Sequence, residues 1–164
     1  MTLNGLRCPL PARASFRDLV RDLLGRDVQV RPGLAQHLDE DTPAYLAAYR
    51  FDDGEAAALA VTDLRLSAAA GAAIAGLPPD ETWTQVQQHN ALDEELAEFL
   101  HEVVNVTSRL FNSPSTPHVR LRDHVVVPGD VNEDIAQLAL DPRVRHDWSV
   151  EIEGYGQGTV TLLA

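Results

Sequence analysis

The strongest periodic signal in the chain lies at residues 91–112, ALDEELAEFLHEVVNVTSRLFN, where apolar positions recur every three or four residues. That spacing predicts one long amphipathic helix, ended by SPSTP. At about 100° of rotation per residue, Leu96, Phe99, Leu100, Val103, Val106, Thr107 and Leu110 fall on one side and form the expected buried face. A shorter amphipathic run, SFRDLVRDLLGRD, predicts a helix capped by Ser15 and stopped by Gly25, with Phe16, Leu19, Val20, Leu23 and Leu24 inward. Between the two, DLRLSAAAGAAIAGLPP reads as a small-residue helix, capped by Thr62 or Asp63 and closed by Gly76 and Pro78-Pro79. Its alanines and Gly71 permit close backbone approach to a sheet.

Strand patterns fill the remainder. Residues 28–31 alternate, and AYLAAYRF (44–51) and EAAALAV (55–61) flank Asp52-Asp53-Gly54, a hairpin turn because Asp-Gly tolerates positive φ. Pro32-Gly33 and the acidic LDEDTP stretch connect the first strand to the second. The C-terminal third reads as strands at 118–127 and 150–153, a short helix within NEDIAQLAL, and a hairpin turning at Tyr155-Gly156-Gln157-Gly158 into TVTLLA. Helices interspersed with hairpins predict an α+β fold, a mostly antiparallel sheet with helices packed on it. The reading separates an N-terminal segment, 1–14, from a single domain, 15–164, without a strong internal repeat.

Composition narrows the chemistry. All 13 basic residues are arginine, which excludes Schiff-base catalysis and the lysine of a phosphate-binding P-loop. A formal charge of −12 argues against nucleic acid or an anionic membrane as partner, since both require a clustered basic surface. Arg120/Arg122 and Arg143/Arg145 sit beside Asp123, Asp141 and Asp147 and read as solvated edges. Cys8, the single cysteine, has no intrachain partner; it reads as an incidental exposed thiol in a reducing compartment. With no apolar run of signal-peptide or bilayer-spanning length, the expected location is the cytoplasm. His37, His89, His101, His118, His124 and His146 show no metal-binding spacing, so no metal is expected. Ser113, Ser115 and Thr116 read as a polar turn, Gly154-Tyr-Gly-Gln-Gly as a hairpin turn, and Trp83 and Trp148 as packing residues.

The solvent side of the long helix carries the candidate chemistry. Glu98, Glu102, Asn105 and Arg109 are spaced four, three and four residues apart and form one stripe pointing away from the predicted core. Most such stripes are simply the wet side of an amphipathic helix. Here, however, Asn gains nothing at an exposed mid-helix position unless its amide is used, and Glu98 and Glu102 repel.

The octapeptide EFLHEVVN, residues 98–105, resembles the D/S-x3-E-x2-N signature of the CheC/CheX/FliY family of receiver-domain phosphatases. The preceding AAYRFDDGEAAALAVTDLRLSAAAGAAIAGLPPDE resembles the strand, turn, strand and Ala-rich helix of CheX-like domains. SPSTPHVRLRDHVVVPG and GYGQGTVTLLA resemble the family's later strands, so the similarity runs from about residue 15 to 164. The resemblance implies a phosphatase that hydrolyses the phosphoaspartate of a CheY-like response-regulator receiver. Glu102 would dock on the receiver, Asn105 would orient the attacking water, and Glu98 and Arg109 would join the partner-binding surface. It implies no cofactor in this chain, magnesium in the receiver, and a homodimer sharing the Ala-rich helix or the C-terminal strand. One signature is visible, as in single-site CheX, because the first helix has Asp18, Arg21 and Asp22 where a second copy would need Glu and Asn. Glu98 stands where the family usually has Asp or a small hydroxyl residue, and Arg109 where a small residue is usual. The alternative is therefore a catalytically degenerate domain of the same fold acting as a protein-interaction module.

Overall fold

The computed structural model describes residues 8–36 and 42–164; His37, residues 1–7 and residues 38–41 of the acidic connection lie outside them. The chain opens with α1 (Arg13–Leu24) and β1 (Val28–Pro32), followed by the hairpin β2 (Ala44–Phe51) and β3 (Ala56–Asp63). Three helices come next: α2 (Leu64–Ala75), α3 (Pro79–His89) and α4 (Glu94–Thr107), the last running into a 3₁₀ turn (Ser108–Phe111). β4 (Val119–Val127), α5 (Glu133–Leu140), β5 (Arg145–Ile152) and β6 (Gly156–Leu163) complete the fold. The α+β expectation holds: six strands form one sheet in the order β1-β5-β6-β3-β2-β4, and every neighbouring pair is antiparallel.

That order contains a symmetry the sequence does not display. Exchanging β1, β2 and β3 for β4, β5 and β6 leaves it unchanged. The first strand of each half crosses over to pair with the second strand of the other, β1 with β5 and β4 with β2. The two halves are thus interleaved, and the sheet closes only through contacts distant in sequence.

One face of the sheet carries the larger core, built on Tyr45, Tyr49, Phe51, Trp148, Val150 and Ile152 and covered by α1, α2 and α4. Leu46, Leu59, Val61 and Leu163 lie on the opposite face beneath Ile135 of α5. Arg50 fastens α5 to the sheet by bridging Asp123 of β4, at 3.2 Å, and Asp134 of α5.

Local signals account for most boundaries. Gly25 and Gly76 end α1 and α2 at φ 65° and 68°, the left-handed region where a side chain is disfavoured. Asp63 rather than Thr62 caps α2, its Oδ1 accepting the Leu66 N–H at 2.7 Å. Four expectations need correction. α1 begins earlier, with Ala12 at its N-cap, so Ser15 lies inside the helix. α3 was not foreseen: Pro79, read as a stop, instead occupies the first turn of a new helix, where its missing N–H costs nothing. The last hairpin turns at residues 153–155, placing Gly158 inside β6; a Cβ there would lie 2.5 Å from both Asp63 Oδ1 and the Leu66 nitrogen. Cys8 is not exposed. It is 2% accessible, and burial pushes its thiol up to about 11.

Candidate functional site

Three anchors set the position of α4. At its start, Asp93 Oδ1 accepts the Leu96 N–H at 2.8 Å, and the preceding Leu92 N–H donates to the Tyr45 hydroxyl at 2.9 Å. Along its length α4 lies on α2, where a Cβ on Gly71 would come within 2.9 Å of Leu96 Cδ1. The close approach that the small residues permit is therefore to α4 as well as to the sheet. At the far end the chain tightens into the 3₁₀ turn, and the Ser108 N–H bonds to Asn105 and Val106 instead of Val104. The Val104 carbonyl so released accepts the fully buried Tyr49 hydroxyl at 2.6 Å.

Against that frame the predicted stripe divides. Leu96, Leu100, Val103, Val104 and Thr107 are buried, and Glu98, Glu102 and Asn105 project from the opposite side, all exposed. None of these three side chains makes a hydrogen bond or ion pair among the described residues. Arg109 is exposed too, but it belongs to the 3₁₀ turn rather than to the α-helix. At the end of the turn Phe111 is buried against Tyr49, with ring centroids 4.7 Å apart.

The buried face is also rotated from the predicted one. Val104 is in the core, whereas Phe99 and Val106 are only half-buried. These two leave an apolar shoulder beside Glu102. On the other flank His101 faces His124 of β4, ring centroids 5.5 Å apart. Burial, with His101 close by, lowers His124 to about 4, and its Nε2 is enclosed without a hydrogen-bond partner among the described residues. Sequence spacing could not reveal this pair, since the two histidines come from different elements. Among the described residues no three His, Cys, Asp or Glu side chains are grouped to hold a metal.

Chemically, the solvent side of α4 offers a carboxylate that can anchor a cation and, one turn on, an amide that can both donate and accept. Glu94, Glu95, Glu98 and Glu102 make this surface strongly acidic, and the first two also favour the helix N-terminus.

Solved structures place the fold. The middle domain of FliM from Vibrio alginolyticus matches 93% of this chain and 87% of its own length at a TM-score of 0.58 and 12% identity. FliM in a FliM–SpeE complex from H. pylori matches 92% and 80% at a TM-score of 0.63 and 8% identity. FliY from Thermotoga maritima matches 99% and 91% at a TM-score of 0.51 and 14% identity. The chain has the CheC/CheX/FliY-type fold. No protein-family model and no curated protein matches it by sequence. In this fold α4 is the helix that presents Glu98, Glu102 and Asn105 to solvent. Among the described residues no helix is long and apolar enough to cross a membrane.

Proposed function

We propose that this chain is a CheX-like phosphatase that hydrolyses the phosphoaspartate of a CheY-like receiver. The observation that carries the reading is the pairing of Glu102 and Asn105, one helical turn apart, exposed and unengaged on the side of α4 opposite the core. Glu102 anchors the receiver through a charge-assisted contact to its active-site lysine, and Asn105 enters the acyl-phosphate pocket and orients a water. The water oxygen attacks phosphorus, the bond from phosphorus to the aspartyl oxygen breaks, and the carboxylate leaves. The water's proton passes to the phosphate released or to solvent. An acyl phosphate is already activated, so positioning together with the receiver's magnesium suffices without a general base in this chain.

Purified protein should shorten the lifetime of a CheY-like receiver phosphorylated by a small-molecule donor in magnesium. Asn105→Ala should bind the receiver normally but lower turnover about 100-fold. Glu102→Ala should weaken binding about tenfold or more. Arg109, exposed beyond Asn105, belongs to the docking surface rather than to the reacting atoms, so Arg109→Ala should change receiver binding more than turnover. A wild type that leaves the phosphorylated receiver's lifetime unchanged removes the enzyme reading.

In that event the interaction-module reading takes its place, and one comparison favours it: H. pylori FliM, which shares this fold, occurs in complex with another protein, SpeE. A homodimer belongs to either reading. α2 is largely buried and β6 is interior to the sheet, so the edge strands β1 and β4 are the ones free to pair. Light scattering giving 17.9 kDa at every concentration would remove the dimer.

A further inference from the structure

A groove of about 440 Å³ runs between α3 and the start of α4, within the roughly 300–1,000 Å³ common for binding clefts. Its floor is apolar, formed by Leu77, Val86, Leu92 and Leu96, and its rim carries the carboxylates Glu81, Asp93 and Glu95. Val86 and Leu96 are each 3% exposed and belong to the core, so Leu77 and Leu92, half-buried, offer most of the accessible apolar floor. Asp93 is partly engaged as the cap of α4, but Glu81 and Glu95 are exposed and form no ion pair among the described residues. Among the described residues no arginine lines the groove, and His89 is its one basic side chain. Arg65 of the adjacent α2 is held over the Trp83 ring at 4.3 Å.

We propose that this groove binds an arginine-bearing, amphipathic segment of a protein partner. Charge complementarity selects the occupant. The rim is anionic, the chain carries a formal charge of −12, and nucleic acid or a phosphorylated segment would be repelled. A metal ion is a poor fit, because no three ligating side chains are grouped for one among the described residues. Arginine suits both parts of the groove. Its methylene stem lies along an apolar floor while its planar guanidinium meets carboxylates in bidentate geometry and is weakly hydrated. An aliphatic neighbour in the segment would rest on Leu77 and Leu92. A second copy of this chain is disfavoured by like charge. The proposal stands apart from the phosphatase reading, since Glu102 and Asn105 do not line the groove.

The test is selection of a random nine-residue peptide library on the intact protein, followed by affinity measurement with the best synthetic peptide. Enriched sequences should place arginine next to an aliphatic residue. Affinity should fall about tenfold in Glu81→Gln/Glu95→Gln and by a similar factor on raising salt from 50 to 500 mM, about the loss of two rim ion pairs. Asn105→Ala should bind the peptide unchanged even if it abolishes phosphatase activity. Both Gln substitutions are at exposed first-turn positions of α3 and α4 and should leave the circular dichroism spectrum intact and lower the urea midpoint only slightly. Failure to enrich any sequence, enrichment of neutral or acidic peptides, or unchanged affinity in the double variant overturns the proposal. So does a wild-type dimer that the double variant converts to monomer, because the occupant would then be a second copy.

Discussion

Tyr49→Phe isolates the contact that sets the end of α4. The substitution removes one oxygen and leaves the ring, which keeps its place against Phe111 at 4.7 Å. Tyr49 is 0% exposed and its hydroxyl donates to the Val104 carbonyl at 2.6 Å. The net hydrogen bond is worth about 1 kcal/mol, and a buried carbonyl left unpaired adds about 1 kcal/mol or more. The carbonyl has no ready substitute donor, because the Ser108 N–H that would serve it in a continuing α-helix is already turned to Asn105 and Val106. A loss of about 2 kcal/mol follows, which for a chain of 164 residues lowers Tm by about 4–8 °C. Urea unfolding should show a lower midpoint with an unchanged m-value, since the apolar surface buried is the same. Because Val104 immediately precedes Asn105, receiver dephosphorylation should fall more than receiver binding. A stability change below about 0.5 kcal/mol would refute the reasoning, for it would mean that water or a relaxed 3₁₀ turn satisfies the carbonyl equally well.

Three further outcomes are expected. Gly158→Ala should destabilise the fold by about 2–3 kcal/mol in urea unfolding, since its Cβ would meet Asp63 Oδ1 and the Leu66 nitrogen at 2.5 Å, breaking the cap of α2; wild-type stability would show the close approach to be soft. His124 titrates at about 4 in the fold against 6.5 as its ordinary value, so the unfolded chain takes up the proton first and stability falls as pH drops from about 6.5 toward 4. The loss is up to about 3 kcal/mol, and a His124→Leu urea series with the same pH slope as wild type would contradict it. Cys8, buried and pushed up to about 11, should react with a thiol reagent at pH 8 far more slowly in the native protein than in urea; equal rates would place it at the surface.

Much of the candidate site's geometry is legible in the sequence because it is local. Glu98, Glu102 and Asn105 face away from the core by periodicity alone, and helix geometry fixes their mutual spacing whatever α4 packs against. The caps Asp63, Gly25 and Gly76 were readable for the same reason: each acts on backbone within four residues of itself. The exact roll of α4 was not readable. Val104 is drawn inward and Phe99 and Val106 are left at the rim because Tyr49, about fifty residues earlier, claims the Val104 carbonyl.

α3 leaves little signal in the sequence because it buries little of itself. Val86 is its one buried residue, so it has almost no apolar stripe to detect, and the proline pair before it reads equally as a stop or a start. The groove beside it leaves none, because a cleft exists only once α3 and α4 are placed against each other. The last hairpin was set two residues late because its position depends on Gly158 fitting under Asp63, a contact between strand and helix cap across the sheet. Strand order is the largest feature that only the tertiary structure decided. Local pattern identified strands but carries no term for which distant strand each will pair with, and here β1 and β4 each pair into the other half of the chain. Short-range hydrogen bonding and periodicity are written residue by residue; helix roll, strand partners and clefts arise from packing between segments far apart in sequence, where complementarity of the folded surfaces decides.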